Sequence, residues 1–283
     1  MKKILVPTDF STKSLNALRL AKDIAEKNGA HVDVVHVIED VSKGSFSAMG
    51  EVVEDPMDSI YMIEMIKQAK SKLKELEADI DFGKIGFETH EVVGNPYEVI
   101  MEKIKTHDFD LVVIGARGIS DIEELFIGSL TDKLVRTAPC PVISVKDQSP
   151  EIAIKKIAFA SDLKGNYTDL VNRMKELQRI ENAEIHLVKI NTPADYKNDR
   201  KNKKALRKFA DKYGLENYYP HVFNYEETEY GIVYFAESIL ADMIAMGVSH
   251  KTGIQRLISG GHIAEDVAQH SYRPVWTYKV KDK

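Results

Sequence analysis

The chain repeats itself, and the repeat limits what it can fold into. Residues 2–11, KKILVPTDFS, return as KKIAFASDLK at 155–164, and residues 29–38, GAHVDVVHVI, return as NAEIHLVKIN at 182–191, both at an offset of 153. Residues 110–115, DLVVIG, return as DMIAMG at 242–247, now at an offset of 132, so the first copy carries 21 extra residues. Two copies of one domain, joined near residues 147–151, account for 283 residues better than one large fold. The expected division is 1–148 and 149–283.

Within the first copy, residues 4–6, 32–37, 111–114 and 142–145 are short, nearly continuous apolar runs rich in β-branched residues. That is the pattern of strands covered on both faces. Residues 85–93 give a weaker strand signal. Helical spacing fills the gaps at 13–28 (Leu15, Leu18, Ala21, Ala25), 59–78 and 97–106. Strands alternating with helices predict an α/β fold: two tandem open doubly wound domains, each a parallel sheet between helices. Such sheets bind ligands at the carboxyl ends of strands, where the strand order reverses.

One segment has the composition of a phosphate cradle. The buried strand at 111–114 runs into Gly115-Ala116-Arg117-Gly118, and a second small-residue break, Gly128-Ser129, precedes a helical pattern containing Leu130, Leu134 and Val135. Glycines let backbone N–H groups approach oxygens closely. The unpaired N–H groups and positive dipole end of the following helix complete such a cradle.

Bulk properties exclude several classes. The formal net charge of −5 and the absence of an overall basic excess argue against a nucleic-acid binder. The apolar run at the start, MKKIL before Pro7 and Asp9, is too short for a signal peptide or a membrane span, so a cytoplasmic location is expected. One cysteine, Cys140, permits no internal disulfide and reads as a small buried filler between Pro139 and Pro141. His31, His36, His90 and His107 show no H-x-x-x-H spacing, so metal ligation is not expected from the sequence. The basic stretch 197–212 has a narrow apolar stripe (Leu206, Phe209, Ala210) and reads as an amphipathic helix with a solvated face.

With these residues in hand, the first half resembles a universal stress protein domain of the ATP-binding kind, and the whole chain resembles a tandem member of that family. The family signature G-x-x-G, nine residues, then G-[ST] is matched by Gly115, Gly118, Gly128 and Ser129 in identity and spacing. VPTDFS near the start, HVIE after the second strand and LVRTAPCPVISV also match. The resemblance implies a five-stranded parallel sheet of order 3-2-1-4-5 in each copy. It also implies an ATP site in the first domain, with Mg²⁺ accompanying the triphosphate. Pro7, Thr8 and Asp9 would border the adenine and ribose, and Val37 would offer backbone groups to the base. Ile114 and Gly115 would floor the site, Arg117 and Gly118 would line the phosphates, and Gly128, Ser129, Leu130 and Thr131 would hold the terminal phosphates at the helix start. The helix N-cap remains a competing role for Asp9 and Ser129.

The second copy departs from this pattern. Gly247-Val248-Ser249-His250 replaces the first glycine loop and Gly260-Gly261 replaces Gly-Ser, while Asp162 keeps the position of Asp9. One ATP per chain is therefore expected, in the first half. The resemblance implies a regulatory stress-response protein with an unidentified protein partner, and a slow ATPase or nucleotidyl-transferring enzyme is the alternative use of the same site. No Walker lysine motif is present. Family domains commonly pair through the fifth strand, so 142–145 and 275–278 are expected to meet as an intrachain pseudo-dimer, with homodimerisation of the tandem chain left open. The Gly- and Ser-bearing insertion at 39–56 reads either as a flap or partner-binding arm or as a tolerated surface loop.

Overall fold

The computed structural model describes residues 1–39, 56–116, 130–146, 153–249 and 263–280. In the first half, strands β1 (Lys3–Pro7), β2 (His31–Ile38), β3 (Phe87–Val93), β4 (Leu111–Gly115) and β5 (Val142–Val145) alternate with helices α1 (Thr12–Asn28), α2 (Pro56–Asp79), α3 (Pro96–His107) and α4 (Leu130–Thr137). The second half supplies β6 (Lys156–Ala160), α5 (Thr168–Glu181), β7 (Glu184–Asn191), α6 (Asp199–Tyr213), β8 (Tyr218–Asn224), α7 (Thr228–Ser238), β9 (Met243–Ser249), α8 (Ile263–His270) and β10 (Val275–Val280).

Local signals set the helix limits. At the start of α1, Ser11 is the N-cap, its hydroxyl accepting the Ser14 N–H at 3.3 Å. Gly29, with φ of 71°, ends the helix in the left-handed conformation and returns its N–H to the Ala25 carbonyl. Among the buried residues of α1, Ser14, Ala17, Leu18, Ala21, Ile24 and Ala25 recur at three- and four-residue spacing on one face, with Asn16 and Leu20 buried beside them. In the second half Asn182 does the work of Gly29, ending α5 with φ of 49°. The repeat extends to the strand starts. Asp110 accepts the Lys2 N–H at 2.6 Å, and its repeat equivalent Asp242 accepts the N–H groups of Lys155 and Lys156 at 2.8 and 2.7 Å.

The ten strands among the described residues form one sheet of order β3-β2-β1-β4-β5-β10-β9-β6-β7-β8. Each half thus has the order 3-2-1-4-5 that the resemblance implies, with parallel pairing throughout. The halves meet through their fifth strands, as expected, and this seam is antiparallel: Val275 pairs with Ser144, Trp276 with Ile143 and Thr277 with Val142. Side chains repeat the symmetry. Ser144 Oγ donates to the Val275 carbonyl at 3.4 Å and Thr277 Oγ1 donates to the Val142 carbonyl at 3.3 Å. A local two-fold axis therefore passes through the Ile143–Trp276 pair, and both side chains are fully buried.

Polar contacts also cross between the halves. Arg173 of α5 donates to Asp110 Oδ1 at 3.1 Å, and Lys27 of α1 donates to Glu181 Oε2 of α5 at 2.6 Å. Glu181 is buried, and its Oε1 has no hydrogen-bond partner among the described residues. Burial pushes the Glu181 carboxyl above its ordinary value of 4.5, with Lys27 and Lys155 drawing it partly back and Asp23 adding to the rise. A carboxyl raised in the fold stabilises it fully below the unfolded pKa, and that contribution is lost as pH climbs through the folded value. Glu181→Gln is therefore expected to flatten the stability–pH curve above about pH 4, as read by urea unfolding. An unchanged curve would contradict this.

Helix α6 matches the amphipathic reading: Leu206, Phe209 and Ala210 are buried, while Lys201, Lys203, Lys204, Arg207 and Lys208 are exposed. Cys140 is buried, and burial pushes its thiol up to about 12. No helix among the described residues is long and apolar enough to cross a membrane. Residues 40–55, the core of the predicted insertion, lie outside the described residues.

Candidate functional site

In the first half β1 lies between β2 and β4, with Ile4 opposite Leu111 and Leu5 opposite Val112. Strands β1 and β4 run parallel, so the end of β1 at Pro7 and the end of β4 at Gly115 both lie at the carboxyl edge of the sheet, the place where the strand order reverses. At that edge β1 turns sharply. Phe10 adopts φ of 63°, and its N–H is taken by Thr8 Oγ1 at 3.0 Å, which directs the chain into α1. Leu163, the repeat equivalent of Phe10, has the same φ of 63°, with its N–H on Ser161 Oγ at 3.0 Å.

The crevice is assembled by short polar contacts. The Thr8 N–H donates to the Val35 carbonyl at 2.9 Å, its hydroxyl lies 3.0 Å from Ser14 Oγ, and its carbonyl accepts His36 Nδ1 at 2.8 Å. Asp9 is exposed, and its Oδ1 accepts the Ser11 N–H at 3.0 Å and the Ser11 hydroxyl at 2.5 Å. Partial desolvation raises the Asp9 pKa, but these bonds from Ser11 outweigh it and hold the carboxyl below its ordinary value. Asp9 is thus an ionised acceptor at neutral pH. Val37, half-buried, lies two residues beyond the last β1 contact on β2, where the two strands part.

On the other side of the crevice, Gly115 packs against the first turn of α1. A Cβ there would lie 2.7 Å from Lys13 C and Ser14 N, so only glycine lets the helix start sit over the strand end. Thr131, buried in the first turn of α4, donates its hydroxyl to the Gly115 carbonyl at 3.3 Å, tying that helix start to the same strand end. Leu130 opens α4 and is half-buried. Pro7, Thr8, Asp9, Ile114, Gly115, Leu130 and Thr131 therefore converge on one edge, with Val37 beside it. Arg117, Gly118, Gly128 and Ser129 lie outside the described residues, between the two anchored ends Gly115 and Leu130.

The second half builds the corresponding edge differently. Helix α5 begins at Thr168, one turn later than the repeat would place it, and Tyr167 stands where the first half has Ser14. The Tyr167 ring is buried among Phe159, Phe209 and Tyr213, at centroid distances of 6.5, 5.1 and 6.4 Å, and its hydroxyl donates to Asp162 Oδ1 at 2.9 Å. Its Cε1 would be 3.4 Å from a Cβ on Gly247, the counterpart of Gly115. The aromatic ring packs, with Val280 and Leu170, beside the strand end at Gly247, and its hydroxyl engages Asp162, the counterpart of Asp9. The sequence reading found the loop changes at His250 and Gly260 but missed Tyr167. The available signal was a tyrosine, too large for the site, at the repeat position of a serine that packs against a strand end. Beside this filled edge, an open cavity of about 900 Å³ lies at the ends of β7 and β8, lined by Asn191, Pro193, Tyr196, Asn224, Tyr225 and Glu226.

Two doubly wound parallel units sharing one sheet, with a polar crevice at the β1/β4 reversal of the first, define an open α/β protein of tandem design. The family model that describes the universal stress protein family matches residues 1–146 and again 153–279. The chain belongs to that family. A universal stress protein of Methanocaldococcus jannaschii is 27% identical over 156 residues, covering 51% of this chain and 94% of the relative. A second one from that organism is 30% identical over 157 residues, covering 53% and 85%. In fold, the chain is similar to the crystal structure of a universal stress protein from Archaeoglobus fulgidus, with a TM-score of 0.75 at 20% identity, over 99% of this chain and 97% of the other.

Proposed function

We propose that this chain is an adenine-nucleotide-binding regulatory protein of the stress response, holding one ATP with Mg²⁺ in its first half. The observation that carries the reading is how the residues flanking the signature are held. In sequence Arg117, Gly118, Gly128 and Ser129 fall between Gly115 and Thr131, whose hydrogen bond joins the end of β4 to the start of α4. A glycine-bearing loop closed on a helix N-terminus suits an anionic polyphosphate. Asp9, held ionised by Ser11, suits a ribose hydroxyl donor. Mg²⁺ would offset the charge of the triphosphate. The tyrosine in the second crevice supports a single site per chain, and the two halves divide near residues 147–152.

Titration of ATP into the full chain is expected to give one equivalent. Asp9→Ala is expected to weaken binding about ten- to a hundredfold, corresponding to loss of one charge-assisted hydrogen bond of about 1.5–3 kcal/mol. Two equivalent sites, or an Asp9→Ala protein that binds unchanged, would overturn the proposal.

A further inference from the structure

At the opposite end of the same strands, the register assembles a cluster that sequence spacing does not reveal. Residues i and i+2 of a strand share a face. His31-Val32-Asp33 on β2 and Glu88-Thr89-His90 on β3 are adjacent, with Asp33 paired to Glu88 and Val35 to His90. One face near the amino ends of these strands therefore carries two imidazoles and two carboxylates. One ligand atom from each of His31, Asp33 and Glu88 lies within 4.8 Å of the others. His31 Nε2 is 2.8 Å from Asp33 Oδ1, and His90 Nε2 is 4.0 Å from Asp33 Oδ2 and 3.7 Å from Glu88 Oε2.

The second observation is Asp33 itself. It is 8% exposed, and its Oδ1 is buried without a hydrogen bond among the described residues, with His31 Nε2 2.8 Å away. A buried carboxylate oxygen that makes no directed hydrogen bond is costly, and a bound cation would offset that cost. Gly86 makes room for the arrangement, because a Cβ there would lie 2.2 Å from His31 Nδ1. The nearest lysine in the register, Lys3 opposite His31, sends its ammonium to the His107 carbonyl at 3.4 Å. His31 and His90 remain about one-third exposed, which leaves a route in from solvent.

We propose that His31, Asp33, Glu88 and His90 form a divalent transition-metal site of the zinc class, separate from the nucleotide crevice. A tetrahedral ion with bonds of about 2.0–2.1 Å separates its ligand atoms by about 3.4 Å, a spacing these side chains reach by rotamer adjustments. Two neutral imidazoles with two carboxylates favour Zn²⁺ over Mg²⁺ or Ca²⁺, which prefer all-oxygen ligation. The second half carries Glu184, His186 and His221 at the corresponding place, but there His186 Nδ1 and His221 Nε2 are 3.0 Å apart and bonded to each other. With its imidazoles so engaged and tyrosine at 219 where the first half has Glu88, that copy is the internal control.

The test is calorimetric titration of Zn²⁺ alone into the nucleotide-free full chain, with thermal unfolding in Zn²⁺ and in chelator. Zn²⁺ is expected to bind and to raise the melting temperature of the wild type. Asp33→Asn and His90→Gln should each weaken binding at least tenfold, and His186→Gln should leave it unchanged. His90 is about one-third exposed, so His90→Gln keeps the test valid if Asp33→Asn disturbs folding. Co²⁺ in place of Zn²⁺ should give the intense visible absorption of a four-coordinate ion. Wild-type affinity in both first-half variants, loss of binding in His186→Gln, or only the faint spectrum of hydrated Co²⁺ would each overturn the proposal.

Discussion

Trp276→Ala should lower the unfolding free energy by about 3–5 kcal/mol, the range for truncating a fully buried large aromatic. Trp276 has no exposed surface and sits opposite Ile143 on the local two-fold axis. The cavity would open at the centre of a continuous sheet, where neither half can close in without moving the other. Guanidinium unfolding should show the loss in both halves together. A change below about 1 kcal/mol, or a transition in which only the second half melts early, would show that the seam does not couple them.

A single added methyl should have the next largest effect. At Gly115 the new Cβ would meet the backbone of Lys13 and Ser14 at 2.7 Å, so the start of α1 has to move. The expected cost of Gly115→Ala is about 1–3 kcal/mol, accompanied by weaker nucleotide binding because Ser14 and Thr8 shift with the helix. At Gly247 the nearest atoms are all side-chain atoms, Val280 Cγ2 at 2.3 Å and Leu170 Cδ1 at 3.1 Å, and none is backbone. Gly247→Ala should therefore cost less, under about 1 kcal/mol. If the two variants prove equally stable, the close helix–strand contact in the first half is not what requires glycine at 115.

Much of the fold was legible because two kinds of pattern agreed. Nearly continuous apolar runs such as 111–114 and 32–37 marked doubly covered strands, and the repeat showed that whatever one half did the other would do again. At the crevice, the strand ends at Pro7-Thr8-Asp9 and Gly115 were readable from the apolar runs that precede them, while Arg117, Gly118, Gly128 and Ser129 lie outside the described residues. What escaped the sequence depends on packing across distant segments. Tyr167 reads as an ordinary helix-start residue until Asp162 is seen to accept its hydroxyl. The grouping of His31 and Asp33 with Glu88 and His90 depends on the register of two parallel strands more than fifty residues apart, which no linear spacing encodes. The meeting of 142–145 with 275–278 was expected from the resemblance, but which pair, Ile143 and Trp276, sits at the middle of that seam depends on a register that the sequence does not state.

The antiparallel seam between β5 and β10 has a consequence for how the two halves can differ. When two identical chains pair edge to edge, each substitution appears on both sides of the axis, and a tyrosine that fills one crevice fills both. Joining the copies covalently removes that constraint. One half can give up its pocket to aromatic packing while the other keeps Ser14, Thr8 and Asp9, and the shared edge remains held at an intramolecular concentration that dilution cannot lower. The molecule keeps the scaffold of a symmetric pair while its two pockets are free to diverge.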